Sequence, residues 1–122
     1  MASVVLGIDI GGANLKAATA DKRAVSVPFA LWKEPQNLGA KLAELVAKFP
    51  DATEFAVTMT GELCDCYETK RQGVTAIVNA MLGAARSFPV RIWSTDGKFV
   101  TSDEAKPNHL KVAAANWHAL AT

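Results

Sequence analysis

The apolar residues of the chain fall into short runs that predict alternating strands and helices. Residues 4–10, 15–20 and 25–31 are β-type runs, separated by two glycines and then by a charged break. They predict an antiparallel meander of three strands. Residues 54–59 and 90–94 predict a fourth and a fifth strand.

Helical spacing appears in three longer segments. Residues 37–49 carry apolar positions on one face, with Asn37 as a candidate N-cap. Residues 69–86 show a second apolar stripe, and a third runs from about residue 107 or 108 to 121. Asp96-Gly97 lies between two β-type runs, which predicts a type I′ hairpin. Strands that alternate with helices in this way are typical of an α/β fold.

Composition limits the function classes. The 122 residues fit one domain and half of them are apolar, so a substantial core is possible. The net charge is +1, and no long run of one sign indicates nucleic-acid binding. The sequence shows neither a secretion signal nor a membrane-length apolar run, so we expect a cytoplasmic protein.

The first strand leads into a candidate site for phosphate chemistry. Asp9 is followed by Gly11 and Gly12, whose flexible backbone can take positive φ angles and lets a ligand approach the main chain. Backbone amides at such a turn can bind phosphate, Asp9 could hold Mg²⁺ or a metal-bound water, and Lys16 could reach the phosphate. A plain Gly-Gly hairpin with a surface aspartate explains the local pattern equally well. The glycine spacing does not fit a Rossmann turn.

A polar loop follows the fourth strand. In an α/β sheet, ligands gather beyond the carboxyl ends of the strands, so this loop is expected near the glycine turn. It offers Thr60, Glu62 and Asp65 to a substrate or to a metal-bound water. The alternative is a capped loop in which Cys64 and Cys66 are packed.

Two further candidates are weaker. Asp96 is an acidic residue beyond the fifth strand, and its place beside Gly97 is better explained by a turn than by a catalytic role. Zinc ligation by the two cysteines and by His109 and His118 is disfavoured, because nine helical residues place the histidines on opposite sides.

Four stretches together resemble a known superfamily. They are residues 9–18 (DIGGANLKAA), 58–65 (TMTGELCD), 69–74 (TKRQGV) and 112–117 (VAAANW). The first resembles the phosphate motif D-x-G-G-T-x-x-K/R of the sugar kinase, Hsp70 and actin superfamily. Within it, the chain is similar to the hydantoinase/oxoprolinase-like branch and to proteins of tetrahydromethanopterin-linked C1 transfer and methanofuran biosynthesis.

The resemblance implies a fold and a set of roles. The fold would be ribonuclease H-like, with a five-stranded mixed sheet, strands four and five parallel to the first, and helices on both faces. ATP and Mg²⁺ would be the cofactors, with Asp9 at the metal and the phosphate held by residues 11–14 and Lys16. Asp9, Glu62 and Asp96 would be catalytic residues, with Asp96 as a general base. Thr60 and Asp65 would bind a small-molecule substrate, and Glu62 would also meet the acceptor. Ala13 departs from the motif, because kinases usually have threonine there.

The resemblance also bears on partners. Proteins of this superfamily have two such domains with the nucleotide between them, and this sequence holds no second D-x-G-G motif. We therefore expect the chain to be an N-terminal domain whose second domain is supplied elsewhere, by a C-terminal domain or a second subunit. The alternative is a non-catalytic module that binds a partner domain or forms a homodimer.

Overall fold

The computed structural model describes residues 3–60, 66–107 and 109–112, with side chains described except at positions 109 and 110. The chain folds as α/β, with the elements in the following order. They are β1 Val5–Ile10, β2 Asn14–Ala18, β3 Ala24–Pro28, a 3₁₀ turn Pro35–Asn37, α1 Leu38–Ala47, β4 Glu54–Met59, α2 Lys70–Ala85, β5 Val90–Trp93, β6 Phe99–Thr101, α3 Ser102–Ala105 and α4 His109–Val112.

The strands form one mixed sheet in the order β3-β2-β1-β4-β5-β6. The first three strands are an antiparallel meander, and β4 and β5 run parallel to β1, as predicted. The predicted count of five strands is wrong, because β6 pairs antiparallel with β5. The parallel strands β1, β4 and β5 therefore end at the same edge of the sheet.

The hairpin between β5 and β6 exists, but its turn is not type I′. A type I′ turn needs positive φ at both central residues, whereas only Gly97 has one, at 77°. The amide of Gly97 donates to the Ser94 carbonyl at 3.1 Å, and the amide of Ser94 donates to the Lys98 carbonyl at 3.0 Å. These bonds define a three-residue loop with a bulge at Gly97, whose register pairs Trp93 with Phe99.

One face of the sheet is closed by helices. The apolar side chains of this face pack against α1 and α2 in a single core. We call this side of the sheet the closed face, and its residues are Leu6, Ile8, Ile10, Leu15, Ala17, Phe55, Val57, Met59, Val90 and Ile92. The helices α1 and α2 lie side by side, and α3 and α4 pack against α2. In the described residues, the helices thus lie on one face.

The expectation of helices on both faces is therefore wrong for the described part of the chain. The crossovers from β1 to β4 and from β4 to β5 step across the sheet in the same direction. Crossovers between parallel strands are almost always right-handed, so two steps in the same direction place their helices on the same face.

The helices differ from the prediction at two points, and part of a third helix lies outside the described residues. Asn37 stands at the N-cap position of α1, but its side chain makes no capping bond and donates to Glu34 Oε1 at 3.4 Å. The helix α3, which was not predicted, is held by a capping box between Thr101 and Glu104. Of the helix predicted to reach residue 121, the structure describes α4, and residues 113–121 lie outside the described part.

Among the described helices, none combines the length and the apolar character needed to cross a membrane.

Candidate functional site

The face opposite the described helices carries the candidate site. We call it the open face, and its positions on β1, β2, β4, β5 and β6 are Val5, Gly7, Asp9, Asn14, Lys16, Ala18, Glu54, Ala56, Thr58, Arg91, Trp93, Phe99 and Thr101. A groove of about 350 Å³ crosses it, lined by Gly7, Ile8, Asp9, Ala56, Val57, Thr58, Trp93 and Phe99. Gly7 and Ala56 provide a low floor because they carry little or no side chain. Trp93 and Phe99 form one wall, with their rings edge to face and 4.9 Å apart.

Two oxygen atoms at this groove are buried without a hydrogen-bond partner in the described structure. They are Asp9 Oδ1 and Thr58 Oγ1. Asp9 and Thr58 are register partners on the parallel strands β1 and β4, so their side chains leave the same face of the sheet side by side. Buried polar atoms are nearly always paired in native proteins, and unpaired ones are candidates for a functional role.

The charge on Asp9 is shaped by burial and by Lys16. Burial raises the pKa of the Asp9 carboxyl above its ordinary value of 3.8, and the positive charge of Lys16 opposes this rise. Lys16 is the register partner of Asp9 across β1 and β2, and it is exposed on the open face. The carboxylate is thus flanked by a cation on β2 and by a hydroxyl on β4.

The turn between β1 and β2 is tighter than a simple phosphate loop. The Gly11 amide donates to the Asn14 carbonyl at 3.1 Å, so it already has a hydrogen-bond partner within the turn. Neither Gly11 nor Gly12 has φ in the left-handed region, contrary to our expectation. Gly11 is favoured by close approach instead, since a β-carbon there would lie 3.2 Å from the Asn14 carbonyl oxygen.

Thr60 lies beside this turn, as predicted from the strand ends. Its amide donates to the Ile10 carbonyl at 2.9 Å, which extends the pairing of β4 with β1. Its Oγ1 would be 3.6 Å from a β-carbon on Gly11. The structure thus brings Asp9, the glycine turn and Thr60 to one edge of the sheet. Glu62 and Asp65 lie outside the described residues.

Asp96 is a turn residue in this structure. It lies in the hairpin loop beyond β5, with its carboxylate paired to Lys111 Nζ at 3.2 Å and both side chains substantially exposed. The Thr95 amide also donates to the Lys111 carbonyl at 2.7 Å, which ties the hairpin to α4. These contacts favour the structural interpretation over a general base, which remains an untested prediction.

No cluster of three or more potential metal ligands occurs among the described histidines, cysteines and acidic residues. Of the four residues considered for zinc, Cys64 and His118 lie outside the described part of the chain.

Sequence reasoning missed Thr58, Trp93 and Phe99. These residues could have been found from the alternation of side chains along a strand, because every second residue of a strand faces the same side of the sheet. Residues 54–59 were interpreted as uniformly buried, so the polar Thr58 between Val57 and Met59 was not assigned to a separate face.

Comparison with known proteins adds one relative. The chain is 38% identical, over 125 residues that cover 99% of it, to the (4-{4-[2-(gamma-L-glutamylamino)ethyl]phenoxymethyl}furan-2-yl)methanamine synthase of Methanocaldococcus jannaschii. No protein-family model matches the chain. The similarity supports the link to this kind of synthase that the four short stretches predict. The chain spans 36% of the length of the relative, a little over one third.

Proposed function

We propose that the chain is the phosphate-handling N-terminal domain of a synthase in methanofuran-linked one-carbon metabolism. The observation that carries the proposal is the 38% identity to the Methanocaldococcus jannaschii synthase, which extends over 99% of the chain. The name of that relative describes a product in which a phenoxymethyl group joins a furan that bears a methanamine. The substrates of this chain would belong to the same chemical class.

The proposed roles follow from the placement of the residues. Asp9 would hold Mg²⁺, directly or through water, because it lies near the carboxyl end of β1, close to the glycine turn. The amides of Gly12 and Ala13 would bind phosphate oxygens, with Lys16 as the countercharge. Thr60 would orient the acceptor beside the turn. The metal ion would neutralise charge on the phosphate, and ATP is the proposed nucleotide.

The sheet supports the finer proposal of a ribonuclease H-like domain. An antiparallel meander is followed by two strands parallel to the first, in the order β3-β2-β1-β4-β5. This is the arrangement that the hydantoinase/oxoprolinase and sugar kinase resemblance implies. The Asp9 turn then lies at the carboxyl edge of the parallel strands, where α/β sheets bind their ligands.

Isothermal titration of the chain with Mg²⁺–ATP tests the proposal. We expect binding in the wild type and at least a tenfold loss in Asp9→Ala, because the carboxylate is the proposed metal ligand. Glu44→Ala is the matched control, since Glu44 is an exposed acid on α1, behind the closed face. Equal nucleotide affinity in the wild type and in Asp9→Ala would contradict the assignment of Asp9.

A second candidate function is a binding module without catalysis. It is favoured by the open face, where Val5 is 45% exposed and Phe99 is 46% exposed. Such a module would associate with a partner domain or with a second copy of itself. Light scattering with size-exclusion chromatography distinguishes the case of self-association, because a dimer that Phe99→Asp converts to a monomer would place the contact on this face.

A further inference from the structure

The lining of the open-face groove does not include the glycine turn, and it is chemically unlike a phosphate site. Phosphate binding uses backbone amides and cations. The groove instead presents a carboxylate, a hydroxyl, two aromatic rings and a floor of small residues. These groups fit another part of a substrate.

The polar groups define the charge of the occupant. Asp9 Oδ1 and Thr58 Oγ1 are both buried, and neither has a hydrogen-bond partner in the described structure. A carboxylate only accepts hydrogen bonds, and a hydroxyl accepts as well as donates. An occupant that satisfies both oxygens must therefore donate at least one hydrogen bond, and the negative charge of Asp9 favours a cationic donor.

The apolar lining defines the shape of the occupant. Gly7 and Ala56 leave flat space over β1 and β4, since neither side chain extends beyond a methyl group. The Trp93 and Phe99 rings bound that space on one side. Aromatic rings bind other flat rings by stacking or edge contacts, and they also attract organic cations. The volume of about 350 Å³ is typical of sites for small organic molecules.

We propose that the open-face groove binds a primary ammonium group carried on a flat apolar ring, with Asp9 and Thr58 as its hydrogen-bond acceptors. This inference rests on the proposed function, because it assigns the amine-bearing part of the substrate to the side of Asp9 away from the phosphate turn. A carboxylate has two oxygens, so one can accept from the ammonium group while the other serves the metal. Thr58 is the residue newly assigned to the site.

Benzylammonium chloride is the probe for the test, titrated without Mg²⁺ or nucleotide. We expect a dissociation constant in the millimolar range. The titration is monitored by the changes in NMR chemical shift of backbone amides on β1, β4 and β5. Benzyl alcohol has the aromatic ring but no ammonium group, and methylammonium has the ammonium group but no ring. We expect each to bind at least tenfold more weakly than benzylammonium.

Three variants assign the binding to the groove. Asp9→Asn should weaken benzylammonium binding at least tenfold, and Thr58→Val by roughly threefold to tenfold, because each removes an acceptor of the hydrogen bond. Glu44→Gln removes an equal charge behind the closed face and should leave the affinity unchanged. Equal affinity for benzyl alcohol and benzylammonium, or unchanged affinity in Asp9→Asn, would overturn the proposal.

The two hypotheses fail in different measurements. Loss of Mg²⁺–ATP binding alone would remove the proposed phosphate role and leave the amine site standing. Mg²⁺–ATP binding without any benzylammonium binding would overturn the amine site and leave the phosphate role. Ala56→Phe fills the floor of the groove, and it should abolish benzylammonium binding while the thermal transition shows that the variant is folded.

Discussion

The two faces of the sheet are built from adjacent residues of the same strands, but their chemistry is opposite. On β1, Leu6 is fully buried under the helices, whereas its neighbour Val5 is 45% exposed on the open face. On β4, Val57 is 1% exposed in the core, whereas its neighbour Thr58 carries an unpaired hydroxyl at the groove.

The difference shows how one strand divides its residues between stability and binding. Side chains alternate with a period of two, so each strand can supply every second residue to the core and the others to a site. The closed face obtains its free energy from burial of apolar area. The open face carries buried polar atoms, which destabilise the folded chain as long as they have no partner.

The largest expected effect comes from the closed face. Leu6→Ala removes a fully buried side chain, and we expect the free energy of unfolding to fall by about 2–5 kcal/mol. Val5→Ala, at the adjacent position, should change it by less than about 1 kcal/mol because Val5 is half exposed. Urea unfolding followed by circular dichroism measures both. Similar losses in the two variants would contradict the assignment of the faces.

A reciprocal exchange on β4 gives the next largest effect. Val57→Thr places a hydroxyl in the core without a described partner and should cost about 1–3 kcal/mol. Thr58→Val removes the unpaired hydroxyl and should stabilise the chain by roughly 1 kcal/mol while weakening benzylammonium binding. The same unfolding measurement applies to both. Destabilisation by Thr58→Val would mean that the hydroxyl has a partner and that the groove lacks this acceptor.

Much of the fold could be predicted from the spacing of apolar residues. The strand Glu54–Met59 was predicted with its observed bounds, and the stripe on α2 contains the buried Val74, Ile77 and Met81. These predictions succeed because strand and helix periods differ clearly in long segments. The position of Thr60 beside Gly11 also followed from the rule that the ends of parallel strands share one edge.

Local backbone chemistry was harder to predict. The Asp96-Gly97 pair fits both a type I′ turn and a three-residue loop with a bulge. The register of Trp93 with Phe99 decides between them, and register depends on tertiary packing. The capping box of Thr101 and Glu104 is a known sequence signature of a helix start, but it was overlooked and α3 was not predicted.

Of the groove residues, Asp9 was predicted from the sequence and Thr58 was missed, and the difference has a physical reason. Asp9 stands out because a charged residue interrupts an apolar strand before two glycines. Thr58 is inconspicuous, since threonine is common in strands. The role proposed for Thr58 depends on the open face, which no described helix covers. That arrangement follows from the direction of the crossovers rather than from any single residue.

The smallest expected effect concerns the pH dependence of stability at Asp9. Because burial raises the pKa of Asp9 above 3.8, the folded state holds this proton more tightly than the unfolded state. Asp9 therefore disfavours folding increasingly as the pH rises from its ordinary pKa through its raised pKa. Asp9→Asn removes this penalty and, because the carboxylate is only partly buried and faces Lys16, should gain roughly 0.5–1 kcal/mol at pH 7.

Urea midpoints of the wild type and of Asp9→Asn between pH 3 and pH 7 measure this effect. Asp21 and Asp51 act in the opposite direction, because Arg23 lowers the pKa values of both, but they contribute equally to the two proteins. The difference between the curves should be small below the ordinary pKa of Asp9 and should grow as the pH rises. A difference of the opposite sign would mean that the folded protein already stabilises the Asp9 carboxylate. The open face would then satisfy its own charge, and the argument that Asp9 awaits a cationic ligand would fail with it.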